Sequence, residues 1–231
     1  MSSKSIKRII QDLKSLDTKS LEQNNIYYFH DEENVFRGYA MIIGPEDTPY
    51  YHGFYFFQFD FPENYPFSPP KAKFCTYDGR TRFHPNLYIS GKVCLSLLNT
   101  WRGDSWNSCQ SIETVLFNLT MLFDKEPLLN EPGLNPSLRD IQIYNDIITY
   151  RNLEHSFCYY MQESNVPEVF KVFWDIMVKK TKENKDKIID FMMENAKVKV
   201  DYKRIPIYNT DATIDYISLN KKIRGIFERI K

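Results

Sequence analysis

Four prolines fall within nine residues at positions 62–70, PENYPFSPP. Each proline fixes φ and removes a backbone donor, so this segment can be neither helix interior nor paired strand. It has to run as a rigid surface crossing, and the stretches on its two sides must be separate elements. Before it, GFYFFQFDF (53–61) reads as a strand with aromatic residues on both faces. After it, KAKFCTY (71–77) reads as another, with Cys75 assigned to the core. Upstream, residues 26–44 hold two β-rich runs split by the polar turn Asp31-Glu32-Glu33-Asn34, a hairpin pattern, and GPEDTPYYHG (44–53) is loop chemistry. Four strands in sequence with short connections predict an antiparallel meander.

The flanks are helical. Ile6, Ile9, Ile10, Leu13 and Leu16 follow the i, i+3, i+4, i+7 pattern of an amphipathic helix. Its other face carries Lys4, Lys7, Arg8, Gln11 and Lys14, either a solvated face or a basic docking face. Past the meander, Ile112, Val115, Leu116, Leu119, Leu122 and Phe123 mark a strongly apolar helix that Ser108 or Ser111 can cap. From Leu138 onward the chain reads as helical, with stripes at Leu138, Ile141, Tyr144 and Ile148 and again at Val169, Phe170, Phe173 and Met177. Residues 198–213, VKVDYKRIPIYNTDAT, read as irregular, and Ile223, Ile226, Phe227 and Ile230 close with a short helix. The fold class is α+β, with helices at one face and end of the sheet.

With 30 basic and 30 acidic residues the formal net charge is zero, so no bulk electrostatic pull toward nucleic acid or an anionic membrane is expected. No stretch approaches ~20 apolar residues, and MSSKSIKRII lacks the apolar run of a secretory signal. Cys75, Cys94, Cys109 and Cys158 form no CxxC pair and no zinc-like cluster, which fits free thiols in a reducing compartment and no metal or other cofactor.

The chemistry concentrates in residues 84–98, HPNLYISGKVCLSLL: an imidazole, a Pro-Asn step, a turn at Ser90-Gly91, then Cys94 in an apolar run. Taken alone it is either a strand edge with a buried cysteine or a nucleophilic thiol with its helpers. A hydrolase would need a histidine base with an orienting carboxylate, and none of the four histidines sits in such a signature.

The SIKRIIQDLKSL helix, GPEDTPYYHGFYFF, the FPENYPFSPPK crossing, HPNLYISGKVCLSLL and the tryptophan loop before QSIETVLFNL, in this order, resemble the catalytic domain of ubiquitin-conjugating enzymes over residues 4–165. Cys94 stands eight positions after Asn86, as that family's motif has it. WRGDSW, NEPG, YRNLEHSFCYYM and the long tail look like the large class charged by the alternative, dual-specificity activating enzyme; Apollon-type conjugating domains share the tryptophan-loop style.

The resemblance implies a conjugating core at residues 1–165 and a helical extension at 166–231 packed on it. It implies that Cys94 carries the C-terminal glycyl group of ubiquitin or a ubiquitin-like modifier as a thioester, and must be reachable to do so. Asn86 then stabilises the oxyanion or holds the loop that does, and His84 orients that loop. Ser96 departs from the pattern, since many members carry Asp there; Glu131 is the substitute carboxylate, unless it is only an exposed turn residue. Lys4, Lys7 and Arg8 become the docking face for an activating enzyme. Phe61, Trp101 and Trp106 become anchors for ligases, unless the tryptophans pack over the core helix. Expected partners are modifier, activating enzyme, ligases and protein substrates, with no nucleic acid and no membrane, in the cytoplasm or nucleus. ATP enters only upstream. An inactive conjugating-fold scaffold is the alternative.

Overall fold

The computed structural model describes residues 3–197 and 199–230. Helix α1 (Ser3–Ser15) and the short α2 (Thr18–Gln23) lead into the sheet, and the Asp17 carboxylate caps α2 by accepting from the Ser20 amide at 3.0 Å. Strands β1 (Ile26–His30), β2 (Arg37–Ile43), β3 (Phe54–Asp60) and β4 (Lys71–Phe74) pair antiparallel in sequence order, so the meander is as expected. The register runs through Tyr28↔Ala40, Ala40↔Phe57 and Phe57↔Phe74. Helix α3 (Ile112–Thr120) starts after Ser111, whose side chain makes no capping bond, and buries Ile112, Val115, Leu116 and Leu119.

Side chains alternate across a strand, so β3 serves two faces. On one face Tyr55 meets Phe123 at 4.5 Å between ring centroids, and Phe57 meets Phe74 at 5.5 Å. On the other, Phe54 stacks on Phe157, while Phe56 meets Tyr160 at 5.1 Å and Phe170 at 4.8 Å. Phe170 also packs edge-on against Tyr39 of β2 at 5.6 Å. Each such ring contributes about 1.5–3 kcal/mol by burial. The aromatic residues read from the sequence on both faces are therefore both used, and the second face is closed by residues 157–170.

Helix α4 (Leu138–Arg151) opens with a reciprocal capping box between Ser137 and Asp140 and continues as π-helix through Asn152–Tyr159. The wider turn presents Asn152 to the β2–β3 loop. Its Oδ1 accepts from the Tyr55 hydroxyl at 2.6 Å, and its Nδ2 donates to the Tyr51 carbonyl at 2.8 Å. Residue 53 must be glycine here, because a Cβ would lie 1.8 Å from Asn152 Oδ1.

A 3₁₀ turn (Glu168–Phe173), α5 (Trp174–Glu183) and α6 (Lys185–Asn195) follow. The stretch expected to be irregular is instead a hairpin, β5 (Asp201–Ile205) paired with β6 (Thr210–Ile214); Val198 lies outside the described residues. The period-2 burial of Thr210, Ala212 and Ile214 is the pattern of a half-buried strand. Lys203 pairs with Asp146, and Arg151 donates to the Asp211 carbonyl at 3.1 Å, which fastens the hairpin to α4. Helix α7 (Tyr216–Arg229), capped by Asp215, ends the chain and is longer than its apolar spacing suggested.

Candidate active site

The cysteine stretch is held by hydrogen bonds rather than by regular structure. The Cys94 amide donates to the Asn86 carbonyl at 2.9 Å, and Asn86 Nδ2 donates back to the Cys94 carbonyl at 2.8 Å. Thr100 Oγ1 accepts from the Leu95 amide and donates to the Val93 carbonyl, both at 2.9 Å, so the backbone on both sides of Cys94 is pinned. Gly91 turns the chain with φ +87°. A 3₁₀ turn, Ser96–Leu98, follows the cysteine.

His84 is fully buried. Its Nδ1 accepts from the Asn86 amide at 2.9 Å, and burial, reinforced by the Arg82 charge, pushes its pKa down to about 3. The ring is therefore neutral at physiological pH and orients the Pro-Asn step. Asn86 Oδ1 is buried without a partner, and one of the two Nδ2 protons is committed to Cys94.

Cys94 differs from the expectation of a reachable thiol. Only 1% of its surface is exposed. The neighbouring tryptophan loop lies close over Ser96: a Cβ on Gly103 would sit 3.1 Å from the Ser96 Cβ. A side chain at position 103 would therefore press on Ser96. Of the other cysteines, burial pushes the Cys75 thiol up to about 11 and the Cys158 thiol up to about 12, both away from thiolate.

Glu131 is half-buried at the end of the 3₁₀ turn Pro127–Asn130. It is not a free turn residue, because its Oε2 accepts from the Tyr208 hydroxyl of the β5–β6 connection. Tyr208 belongs to no motif in the sequence. Its tie joins positions 77 apart, and no local pattern announces such a pair.

The docking residues divide. Lys4 and Lys7 are exposed on α1. Arg8 is already engaged within the chain: it bonds Asp12 at 2.7 Å and donates to the carbonyls of Ser108 at 2.6 Å and Gln110 at 2.7 Å. It ties α1 to the tryptophan loop. Phe61 is likewise no surface anchor; it is buried against Tyr65 at 5.1 Å and His30 at 5.7 Å. Trp106 is buried and donates Nε1 to the Pro66 carbonyl at 2.6 Å, beside the Tyr65 ring. Trp101 is half-buried. The exposed ring of the proline crossing is Phe67, 78% accessible. The turn of prolines made that residue visible in the sequence, but nothing there separates it from Phe61.

The fold and the Asn86–Cys94 stretch fit one family, and comparison with known proteins settles it. Residues 8–148 match the family model described as ubiquitin-conjugating enzyme, and the chain belongs to that family. It is 33% identical over 205 residues to ubiquitin-conjugating enzyme E2 Z of Danio rerio, covering 87% of this chain and 62% of that protein. It is 45% identical over 134 residues to probable ubiquitin-conjugating enzyme protein 17 of Caenorhabditis elegans, covering 55% of this chain and 18% of that one. Human dual E2 ubiquitin-conjugating enzyme/E3 ubiquitin-protein ligase BIRC6 is 37% identical over 139 residues, 57% of this chain and 3% of that protein. The chain thus spans less than two thirds of these relatives' length. With the Danio protein the similarity covers far more than residues 8–148. Among the described residues no helix is long and apolar enough to cross a membrane.

Proposed function

We propose that the chain is an active conjugating enzyme that carries ubiquitin, or a ubiquitin-like modifier, on Cys94. The Cys94 thiolate attacks the thioester carbonyl of a charged activating enzyme, and that enzyme's cysteine leaves as thiolate. In the second step a substrate lysine amine, or a ligase cysteine, attacks the new thioester. The bond to the nucleophile forms, the C–S bond breaks, and Cys94 leaves as thiolate. Asn86 supports the oxyanion with its second Nδ2 proton while the first holds the Cys94 carbonyl. His84, neutral and buried, keeps that step of backbone in place, and Glu131 supplies the carboxylate that Ser96 cannot. The nearly closed Cys94 has to open when a partner docks.

The reciprocal bonding of Asn86 and Cys94 over a neutral His84 is the observation that carries this reading. Lys4, Lys7 and the exposed Phe67 are the surfaces for activating enzyme and ligase. By resemblance to the large class, the activating enzyme is the alternative, dual-specificity one. Incubation with ATP, a panel of modifiers and each activating enzyme tests all of this. A reductant-sensitive adduct absent from Cys94→Ala is expected, formed with the alternative enzyme. No adduct with any pair would mean a binding scaffold instead.

A further inference from the structure

The tip of the β5–β6 hairpin, outside the family-matched residues 8–148, reaches Arg82, two residues before the cysteine stretch. The Tyr208 hydroxyl donates to Glu131 Oε2, and the Tyr208 ring centroid lies 4.5 Å from the Arg82 guanidinium carbon. The same guanidinium is 3.6 Å from the ring centroid of Tyr88 and donates to the Pro85 carbonyl. Pro85 and Tyr88 flank Asn86. A continuous set of contacts therefore runs from Glu131 through Tyr208 and Arg82 to the residues beside Asn86.

Two features describe this tip. Tyr208 and Asn209 adopt φ of +58° and +51°, consecutive left-handed residues where neither is glycine. That conformation is strained for a bulky side chain and persists only where surrounding contacts hold it. The hairpin is moreover already secured to α4 by Lys203 and Arg151, and by burial of Ile205, Ala212 and Ile214. The Tyr208 ring itself packs beside Tyr144, 6.4 Å between centroids, so the hydroxyl is the part of the side chain that packing leaves unexplained.

We infer that Tyr208 is a positioning residue for aminolysis, holding the Glu131 carboxylate toward the amine that attacks the Cys94 thioester. The hairpin of the extension thereby becomes part of the site. This rests on the conjugating reading above. A carboxylate free to rotate spends most of its time misdirected. With Oε2 engaged by the phenol, Oε1 faces one way and can pair with a lysine ammonium. The ammonium then gives up a proton to that oxygen or to water, its nitrogen bonds the thioester carbon, and the C–S bond breaks to release the Cys94 thiolate. A phenol suits the task, because it donates without cancelling the negative charge. Burial, then the bond to Glu131, push the Tyr208 pKa up, so the hydroxyl remains a donor.

The test is single-turnover discharge of preformed Cys94 thioester on the full chain, with free lysine and with hydroxylamine, a nucleophile that is neutral at the assay pH. Tyr208→Phe keeps the ring against Arg82 and loses only the hydroxyl. Lysine discharge is expected to fall roughly tenfold, the scale of one hydrogen bond to a charged group, with hydroxylamine discharge unchanged. Glu131→Gln should shift the lysine-to-hydroxylamine ratio in the same direction, and the double variant should be no worse than the more affected single one. Equal losses on both nucleophiles, or an unchanged ratio in either variant, would overturn the inference. A wild-type chain that never charges on Cys94 would instead bring down the conjugating reading itself.

Discussion

Two aromatic residues flank the cysteine stretch and are tied down in different ways. Trp106, in the loop that follows the stretch, donates to the backbone carbonyl of Pro66 and packs on Tyr65. Tyr208, from a hairpin more than 100 residues further on, donates to a carboxylate and covers a guanidinium. A backbone carbonyl has no charge to direct, so the first tie can only fix the path of the chain. The second engages two ionisable groups, Glu131 and Arg82. One aromatic holds the site together, and the other adjusts what the site does.

The largest effect that tests this division is Trp106→Ala. It should lower stability by about 3–5 kcal/mol, the cost of truncating a buried large aromatic, read as a fall in the urea midpoint. The lysine-to-hydroxylamine ratio of the charged fraction should stay unchanged. A shift in that ratio would put Trp106 on the chemical side of the divide.

Asn86 stands between the two cases, with one amide proton on a backbone carbonyl and a second assigned above to the oxyanion. In Asn86→Ala, charging should survive while lysine discharge slows by ~10²–10³-fold, the usual loss for one oxyanion donor. Equal loss of both steps would class Asn86 with Trp106.

The effect most spread out, over pH units rather than in one step, concerns His84. Unfolded, it takes up a proton near pH ~6.5; folded, its pKa is about 3. Between those values the unfolded state binds more protons. The stability it supports is thus complete above pH ~6.5 and is lost as the pH falls toward 3, by at most about 1.4 kcal/mol per pH unit. His52, also buried, with its pKa pushed down to about 4, adds to the same slope. Urea titrations from pH 7 to pH 4 should show a shallower decline in His84→Asn than in the wild type. An identical decline would place the acid sensitivity elsewhere.

The meander and the proline crossing are legible in the sequence because strand alternation and proline chemistry are local. So is the Asn86–Cys94 spacing, since both residues lie in one short stretch. Arg8 is not legible in the same way. Its basic face looks free in the sequence, and only the fold brings the Ser108 and Gln110 carbonyls to it from 100 residues away. Phe61 and Phe67 share one proline-rich turn, and their opposite burial depends on which side meets Tyr65. The β5–β6 hairpin is hidden by Pro206, which weakens a strand pattern, and by exposed residues along most of β5. The burial of Cys94 arises only in the assembled fold and leaves no mark in the motif.

The closing of the sheet's second face also has a consequence during synthesis. Phe170, which lies against Phe56 and Tyr39, comes 96 residues after Phe74 at the end of β4 (170 − 74). At about 5–20 residues per second a ribosome needs roughly 5–20 s to make that interval. For most of that time, until Phe157 and Tyr160 are made, Phe54 and Phe56 lack the rings that cover them in the finished fold. Rings left open in this way are apolar surface of the kind that favours aggregation, and pauses in translation between these positions lengthen the exposure.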